Sequence, residues 1–288
     1  KTLMNATMNV MIGTIVHRYL RVPYTLHVQH IHKPKKPRGV VLFIHGIGNS
    51  GDAWSEVIEK LPRDVGVIAI DLLGFGDSPK PEWAVYSAKV QARSVLATYF
   101  KLRITSPVII VGHSLGSLVA IEIAKRYPLI VKSLILCSPP LYDTAEVKKR
   151  FDVRPDSLLR QLYSSAYERP DEFVKLSSVA MKYNLINKSF NVTSDNVASY
   201  MATLQTMIIN QTSLHDAQAI KVPTTIIHGT LDPVVITKNL KLVVRTNPHV
   251  ALTSVLAGHE VRGLFVGAVV RAVQQHLPPK KKRDINGK

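Results

Sequence analysis

Four β-branched residues, Val108 to Val111, run directly into Gly112-His113-Ser114-Leu115-Gly116, and Leu118 to Ala124 continue with helical spacing. A strand that becomes a helix within two residues must turn so sharply that strand and helix nearly touch. The positions two before and two after the central residue can then carry almost no side chain, and Gly112 and Gly116 occupy them. The residue at the apex is a serine. Held there it stands clear of the chain, close to the free amides of a helix start and open to a base in a neighbouring loop. Those are the conditions under which a weakly nucleophilic hydroxyl becomes reactive.

The rest of the chain supplies the sheet that such a turn requires. Val40 to Ile44, Val67 to Ile70, Val131 to Leu136, Thr224 to Ile227 and Val250 to Leu256 are further apolar runs of strand length, most of them separated by helical segments. Strands alternating with helices imply a mostly parallel, doubly wound α/β sheet covered on both faces, with ligands bound beyond the carboxyl ends of the strands. Upstream, Tyr24 to Ile31 alternates, and Lys33-Pro34-Lys35-Lys36-Pro37-Arg38-Gly39 breaks the pattern, which predicts a hairpin at the edge of the sheet.

Residues 139 to 217 interrupt the alternation with a polar stretch of nine basic and nine acidic residues. Helical candidates there are Pro155 to Tyr167, Pro170 to Lys182 and Asp195 to Ile209, the last with an apolar stripe of Met201, Leu204, Ile208 and Ile209 that predicts packing on the core. The organisation expected is an N-terminal amphipathic segment (1–18), a core in two pieces (19–138 and 218–277), a helical cap (139–217) and a basic tail (278–288).

One cysteine, Cys137, excludes an internal disulfide and a cysteine-rich metal site. The net charge of +17 is concentrated at the ends, with seven basic and no acidic residues in 1–40 and six basic and one acidic in 271–288. That is not the basic, aromatic-studded face expected of a nucleic-acid reader, and nucleic acid is not an expected partner. The basic tail Lys280 to Arg283 reads as a solvated segment. The alternative is peripheral contact of both basic termini with an anionic membrane, to which Met8, Met11, Ile12 and Ile15, at helical spacing just before Arg18 and Arg21, add. That apolar stretch is far shorter than the ~20 residues needed to span a bilayer, and its charges do not precede it as in a signal peptide. The expected location is cytoplasmic, with membrane association as the alternative; since the chain begins with Lys1, a leader or anchor upstream is compatible with this reading.

A serine nucleophile needs a base and a carboxylate that orients it. Asp232 follows the run Thr224 to Gly229 in the turn Thr230-Leu231-Asp232-Pro233, and His259 follows the next run in Ala257-Gly258-His259-Glu260. Both positions are strand ends at the carboxyl edge, in the order serine, acid, histidine. Asp143, after the preceding run, is the rival acid. His45 and His113 stand beside glycines in turns and are expected to brace backbone rather than move protons. For the developing oxyanion, His45-Gly46-Ile47-Gly48 ends the first buried run so that the Ile47 amide can point at the serine, and Leu115 offers the first amide of the helix.

Together these residues resemble the α/β-hydrolase family, specifically its cap-bearing serine esterase and lipase branch. The resemblance covers about residues 19 to 277. It rests on His45-Gly46-Ile47-Gly48, Asp71-Leu72-Leu73-Gly74-Phe75-Gly76-Asp77-Ser78, the segment around Ser114, Asp232-Pro233 and Gly258-His259. It implies that Ser114 attacks an acyl carbon, His259 shuttles the proton, Asp232 holds its tautomer and the amides of Ile47 and Leu115 bind the oxyanion, with no cofactor and no metal. The activity it implies is hydrolysis of carboxylic esters with small to medium, largely apolar acyl groups. Carbon–carbon bond hydrolysis of dienoate-like substrates, which His45-Gly46-Ile47-Gly48 and Trp54 would also suit, and a weakly catalytic ligand receptor are the alternatives.

Overall fold

The computed structural model describes residues 12–143, 195–209 and 211–280, together with residues 169, 172, 174–175, 179 and 192–193. Seven strands form one sheet: β1 (Val28–His32), β2 (Gly39–Ile44), β3 (Val65–Ile70), β4 (Val108–His113), β5 (Val131–Cys137), β6 (Thr224–Gly229) and β7 (Val250–Val255). Their spatial order is β1-β3-β2-β4-β5-β6-β7; β1 runs antiparallel to β3 and every other pairing is parallel. The named helices are α1 (Ser55–Glu59), α2 (Ala88–Lys101), α3 (Leu115–Arg126), α4 (Val197–Thr203), α5 (Ser213–Ala219), α6 (Thr237–Thr246) and α7 (Leu264–His276).

Period-two alternation divides each central strand between two cores. Val40, Leu42 and Ile44 of β2, Val108 and Ile110 of β4 and Leu134 and Leu136 of β5 join one cluster with residues of α2, α3 and α6. Val41 and Phe43, Ile109 and Val111, and Ile135 and Cys137 join the other with Trp54 and residues of α7. Strands apolar at every position are therefore buried on both faces, which is why they read as continuous runs. Each fully buried Val, Leu or Ile contributes roughly 1.5–3 kcal/mol, so the central strands are the least movable part of the fold and the loops beyond their ends are held in register.

The expected hairpin does not form. β1 is the edge strand, but its neighbour is β3, which lies between β1 and β2. The connection 33–38 holds Pro34 and Pro37, which fix a negative φ, whereas two-residue hairpin turns need positive φ. Six residues are enough to cross two interstrand spacings of about 4.8 Å. β1 also starts later than the alternation suggests, because the Leu26 amide donates to Thr98 Oγ1 and the His27 amide to Ser78 Oγ, so neither is available to the ladder.

Between β5 and β6, α4 is followed by the helical turn Leu204–Ile209. Leu204 and Ile208 are buried in the first core and Met201 packs against it, as the apolar stripe predicts. The candidate helix 155–167 and nearly all of 170–182 lie outside the described residues. At the N-terminus, residues 12–14 and Ile15–Tyr19 are helical, with Ile12 and Ile15 exposed rather than packed. No described helix is long and apolar enough to cross a membrane.

Candidate active site

Four loops at the carboxyl edge of the parallel strands converge on Ser114. The serine follows β4 and stands at the N-terminus of α3 with φ 49° and ψ −118°, a left-handed conformation costly for any residue with a Cβ. What holds it there is the approach of strand and helix. A Cβ on Gly112 would lie 2.5 Å from the Gly116 carbonyl oxygen, and one on Gly116 would lie 2.3 Å from that of Ile44. The Ser114 amide donates to Cys137 O at 2.8 Å, fixing the apex to β5.

The loop after β7 brings His259 to the serine, with Nε2 3.0 Å from Ser114 Oγ. Its Nδ1 lies 2.8 Å from Asp232 Oδ2 on the loop after β6. These partners set the tautomer: Nδ1–H donates to the carboxylate and Nε2 accepts the serine hydroxyl. Two backbone bonds, Thr230 N to Val255 O and Leu231 N to Ala257 O, tie the acid's loop to the base's loop. Asp232 Oδ1 accepts the amides of Val234 at 2.8 Å and Val235 at 3.2 Å, so the carboxylate also closes its own turn. Burial would raise the Asp232 carboxyl, but the His259 hydrogen bond and charge and the Val234 amide outweigh it and hold it below the ordinary aspartate value. It is Asp232, not Asp143, that bonds His259.

Ile47 follows β2 in the turn Gly46 to Asn49, closed by Asn49 N to Gly46 O at 3.2 Å, with Gly48 at φ 74°, the third position of a turn that needs positive φ. Gly46 lies against the serine: a Cβ there would be 3.3 Å from Ser114 Cβ. The structure thus brings Gly46, the residue before Ile47, against Ser114, and leaves Leu115 as the first amide of α3, one of those a helix start cannot satisfy internally.

Both neighbouring histidines brace backbone. His45 Nδ1 donates to Gly46 O at 2.7 Å and its Nε2 accepts the Leu72 amide at 2.8 Å; burial is the main cause that pushes its pKa down to about 4. His113 Nε2 donates to His259 O at 3.0 Å, and burial holds this ring below the ordinary histidine value. That His113 holds the base's own backbone has no signature in the sequence, since any carbonyl can accept. Trp54 packs on Phe43 and edge-on to His113 and is only 1% exposed, so it supports the site from behind. Among the described residues, His27, Asp71 and Asp77 place ligand-type atoms within 4.8 Å of one another. Asp71 already accepts the Gly51 and Asp77 amides, which makes this cluster a brace for the loop after β3.

A family model described as alpha/beta hydrolase fold matches residues 39–261. Among curated proteins, "Probable lysophospholipase BODYGUARD 4" of Arabidopsis thaliana is 36% identical over 113 residues, covering 38% of this chain and 27% of that protein. An uncharacterized protein of Mycobacterium tuberculosis is 45% identical over 101 residues, 34% of this chain and 28% of that protein. The chain spans about a quarter of the length of these curated relatives. Among solved structures, a thermophilic esterase from Thermogutta terrifontis has a TM-score of 0.69 at 20% identity, covering 88% of this chain and 94% of that one. The enol-lactonase from Burkholderia xenovorans has a TM-score of 0.65 at 18% identity, covering 87% and 95%. At these identities the likeness is one of fold.

Proposed function

The chain belongs to the alpha/beta hydrolase fold family, a family of hydrolases, and from that premise we propose that it is a serine hydrolase that cleaves carboxylic esters through Ser114, His259 and Asp232. The observation that carries this reading is the continuous hydrogen-bonded line from Ser114 Oγ through His259 to Asp232. Names such as probable lysophospholipase and esterase among its relatives lie in the same reaction class.

In this reading Ser114 Oγ attacks the acyl carbon while its proton passes to His259 Nε2. Asp232 keeps Nδ1–H in place and stabilises the imidazolium. The carbonyl oxygen becomes an oxyanion held by the amides of Ile47 and Leu115, each worth about 2.7–4 kcal/mol of barrier. The tetrahedral species collapses as His259 returns the proton to the departing alcohol, leaving the acyl group on Ser114. Water, deprotonated by His259, then attacks that acyl group; the acid departs and Ser114 recovers its proton. The reaction as written draws on protein groups and water. Residues 139 to 217 act as a cap that selects small to medium, largely apolar acyl groups. This is supported at the start of the segment, where Tyr142 OH donates to Val234 O at 2.6 Å, two residues beyond Asp232. A cytoplasmic location belongs to the same reading, supported by a chain with one cysteine and hence no internal disulfide. The burial of Trp54 behind His113 removes one of the two features that suit carbon–carbon bond hydrolysis, while His45-Gly46-Ile47-Gly48 suits both reactions.

Labelling with a fluorophosphonate, located by mass spectrometry, tests the nucleophile, and p-nitrophenyl acetate and butyrate test the ester chemistry. The expected result is a single adduct on Ser114, turnover of both esters, and loss of both in Ser114→Ala. Absence of turnover together with absence of an adduct on Ser114 overturns the proposal; a labelled Ser114 without ester turnover points to the weakly catalytic receptor.

A further inference from the structure

Large apolar side chains exposed to solvent are concentrated in one short stretch. Ile12, Ile15, Tyr19, Leu20 and Val22 are between 45% and 69% exposed, and Val85, from the loop after β3, is 63% exposed. The stretch and the loop meet. His17 stacks on Tyr24 with ring centroids 3.7 Å apart, Tyr24 lies 6.0 Å from Trp83, and the Arg18 guanidinium sits 6.0 Å from the Trp83 ring and 5.9 Å from Tyr19. Arg93 donates to the Arg21 carbonyl from α2. The result is a surface of aliphatic, aromatic and arginine side chains held in one place by ring contacts.

Charge selects the occupant. The stretch 12–22 carries Arg18 and Arg21 and no acidic side chain, Arg93 reaches it from α2, and Glu82 adjoins Trp83. A helical turn with aliphatic residues, interfacial Tyr and Trp, and an excess of positive charge is what partitions into a negatively charged lipid surface. We propose that residues 12–22, with Trp83 and Val85, form a docking surface for an anionic membrane leaflet. Ile12, Ile15, Leu20, Val22 and Val85 enter the boundary between headgroups and acyl chains, Tyr19 and Trp83 sit at headgroup level, and Arg18 and Arg21 pair with lipid phosphates. The loop that carries Val85 leaves β3 at the carboxyl edge, the edge on which Ser114 also lies. A docked membrane therefore meets the protein on the side of the reactive serine. The binding itself does not depend on what Ser114 does.

The test is co-sedimentation of the full chain with vesicles of phosphatidylcholine alone and of phosphatidylcholine mixed with phosphatidylglycerol. Three variants accompany it: Ile15→Asp with Leu20→Asp, Arg18→Gln with Arg21→Asn, and a tail variant with Lys280, Lys281, Lys282 and Arg283 all changed to Gln. Asn is chosen at position 21 because Arg21 has φ 54°, which Asn tolerates. Binding to the mixed vesicles and not to phosphatidylcholine alone is expected. The arginine pair should weaken it roughly 30-fold, at about 1 kcal/mol per basic residue. The Ile15 and Leu20 changes should weaken it at least about tenfold, from the lost burial of two apolar side chains, while the tail variant should bind like the parent. Thermal melting checks that each variant folds, and p-nitrophenyl butyrate turnover should be the same in all four proteins. Parent-like binding by the Ile15 and Leu20 variant overturns the proposal, as does loss of binding in the tail variant alone. A patch-dependent dimer in light scattering, without vesicle binding, overturns it in favour of a second copy of the chain.

Discussion

His113 Nε2 donates a 3.0 Å hydrogen bond to the backbone carbonyl of His259, so the residue before Ser114 holds in place the residue that bonds the Ser114 hydroxyl. Strand β4 and the loop after β7 are separated by 146 positions in sequence and fastened at this point. His113→Ala leaves the His259 carbonyl without that donor, a loss of about 1–3 kcal/mol for a buried group. Misplacement of the base should lower kcat for p-nitrophenyl butyrate about 10- to 100-fold, with KM within about twofold because no substrate contact is removed. His113→Gln, which keeps a side-chain N–H, should recover much of the rate. Equal losses in the two variants would deny the hydrogen bond its positioning role.

Gly116→Ala should be far more damaging than its single methyl suggests. The added Cβ would fall 2.3 Å from the carbonyl oxygen of Ile44, the last residue of β2, and 2.6 Å from that of His45, which follows it; these backbone atoms cannot move without disturbing the end of the strand. A cost above about 4 kcal/mol is expected in urea unfolding. Gly258→Ala makes the control, since nothing lies within 4 Å of a Cβ there although the residue adjoins His259. It should stay within about 1 kcal/mol of the parent.

What was legible in the sequence is what local geometry dictates. Gly112 and Gly116 mark the sharp turn because no other residue fits it, and the strands of the central sheet show as apolar runs because both their faces are buried. Asp232 and His259 stand out because each closes a recognisable strand, and the structure places both within hydrogen-bonding reach. Pairing between strands is a different matter: β1 chooses β3 over β2 through contacts distant in sequence, and no local pattern carries that choice. The Trp54 ring was equally unreadable, since a tryptophan after a turn can face a cleft or fill a core, and here it fills the second core.

Asp232→Asn separates orientation from folding. The amide oxygen can still accept the Val234 and Val235 amides that Oδ1 accepts in the parent, so the melting temperature should change little. At Oδ2, loss of the negative charge removes the preference for the Nδ1–H tautomer of His259. A fall in kcat on the order of 10⁴-fold is expected. A rate within about tenfold of the parent would show that another group orients the imidazole.

Acid should loosen the Ile47 turn before it touches the Asp232 carboxylate. His45 is buried as the neutral ring, its Nε2 accepting the Leu72 amide, and its pKa falls from 6.5 to about 4 on folding. Between those values the unfolded chain binds a proton that the native protein refuses. The stabilising contribution is therefore complete above pH 6.5 and is lost as pH falls through the window to about 4, on the order of 3 kcal/mol in all. Burial also lowers His113, which adds to the loss in the same direction. Asp232 is lowered from 3.8, so its contribution is present above that value and disappears only below it. Unfolding free energies measured across the acid range should accordingly decline in two stages, the first belonging to the histidines. In His45→Gln, whose amide oxygen can accept the Leu72 N–H at any pH, the first stage should become shallower by up to one proton. A first stage with the parent's slope in that variant would mean that His45 protonates freely in the native protein.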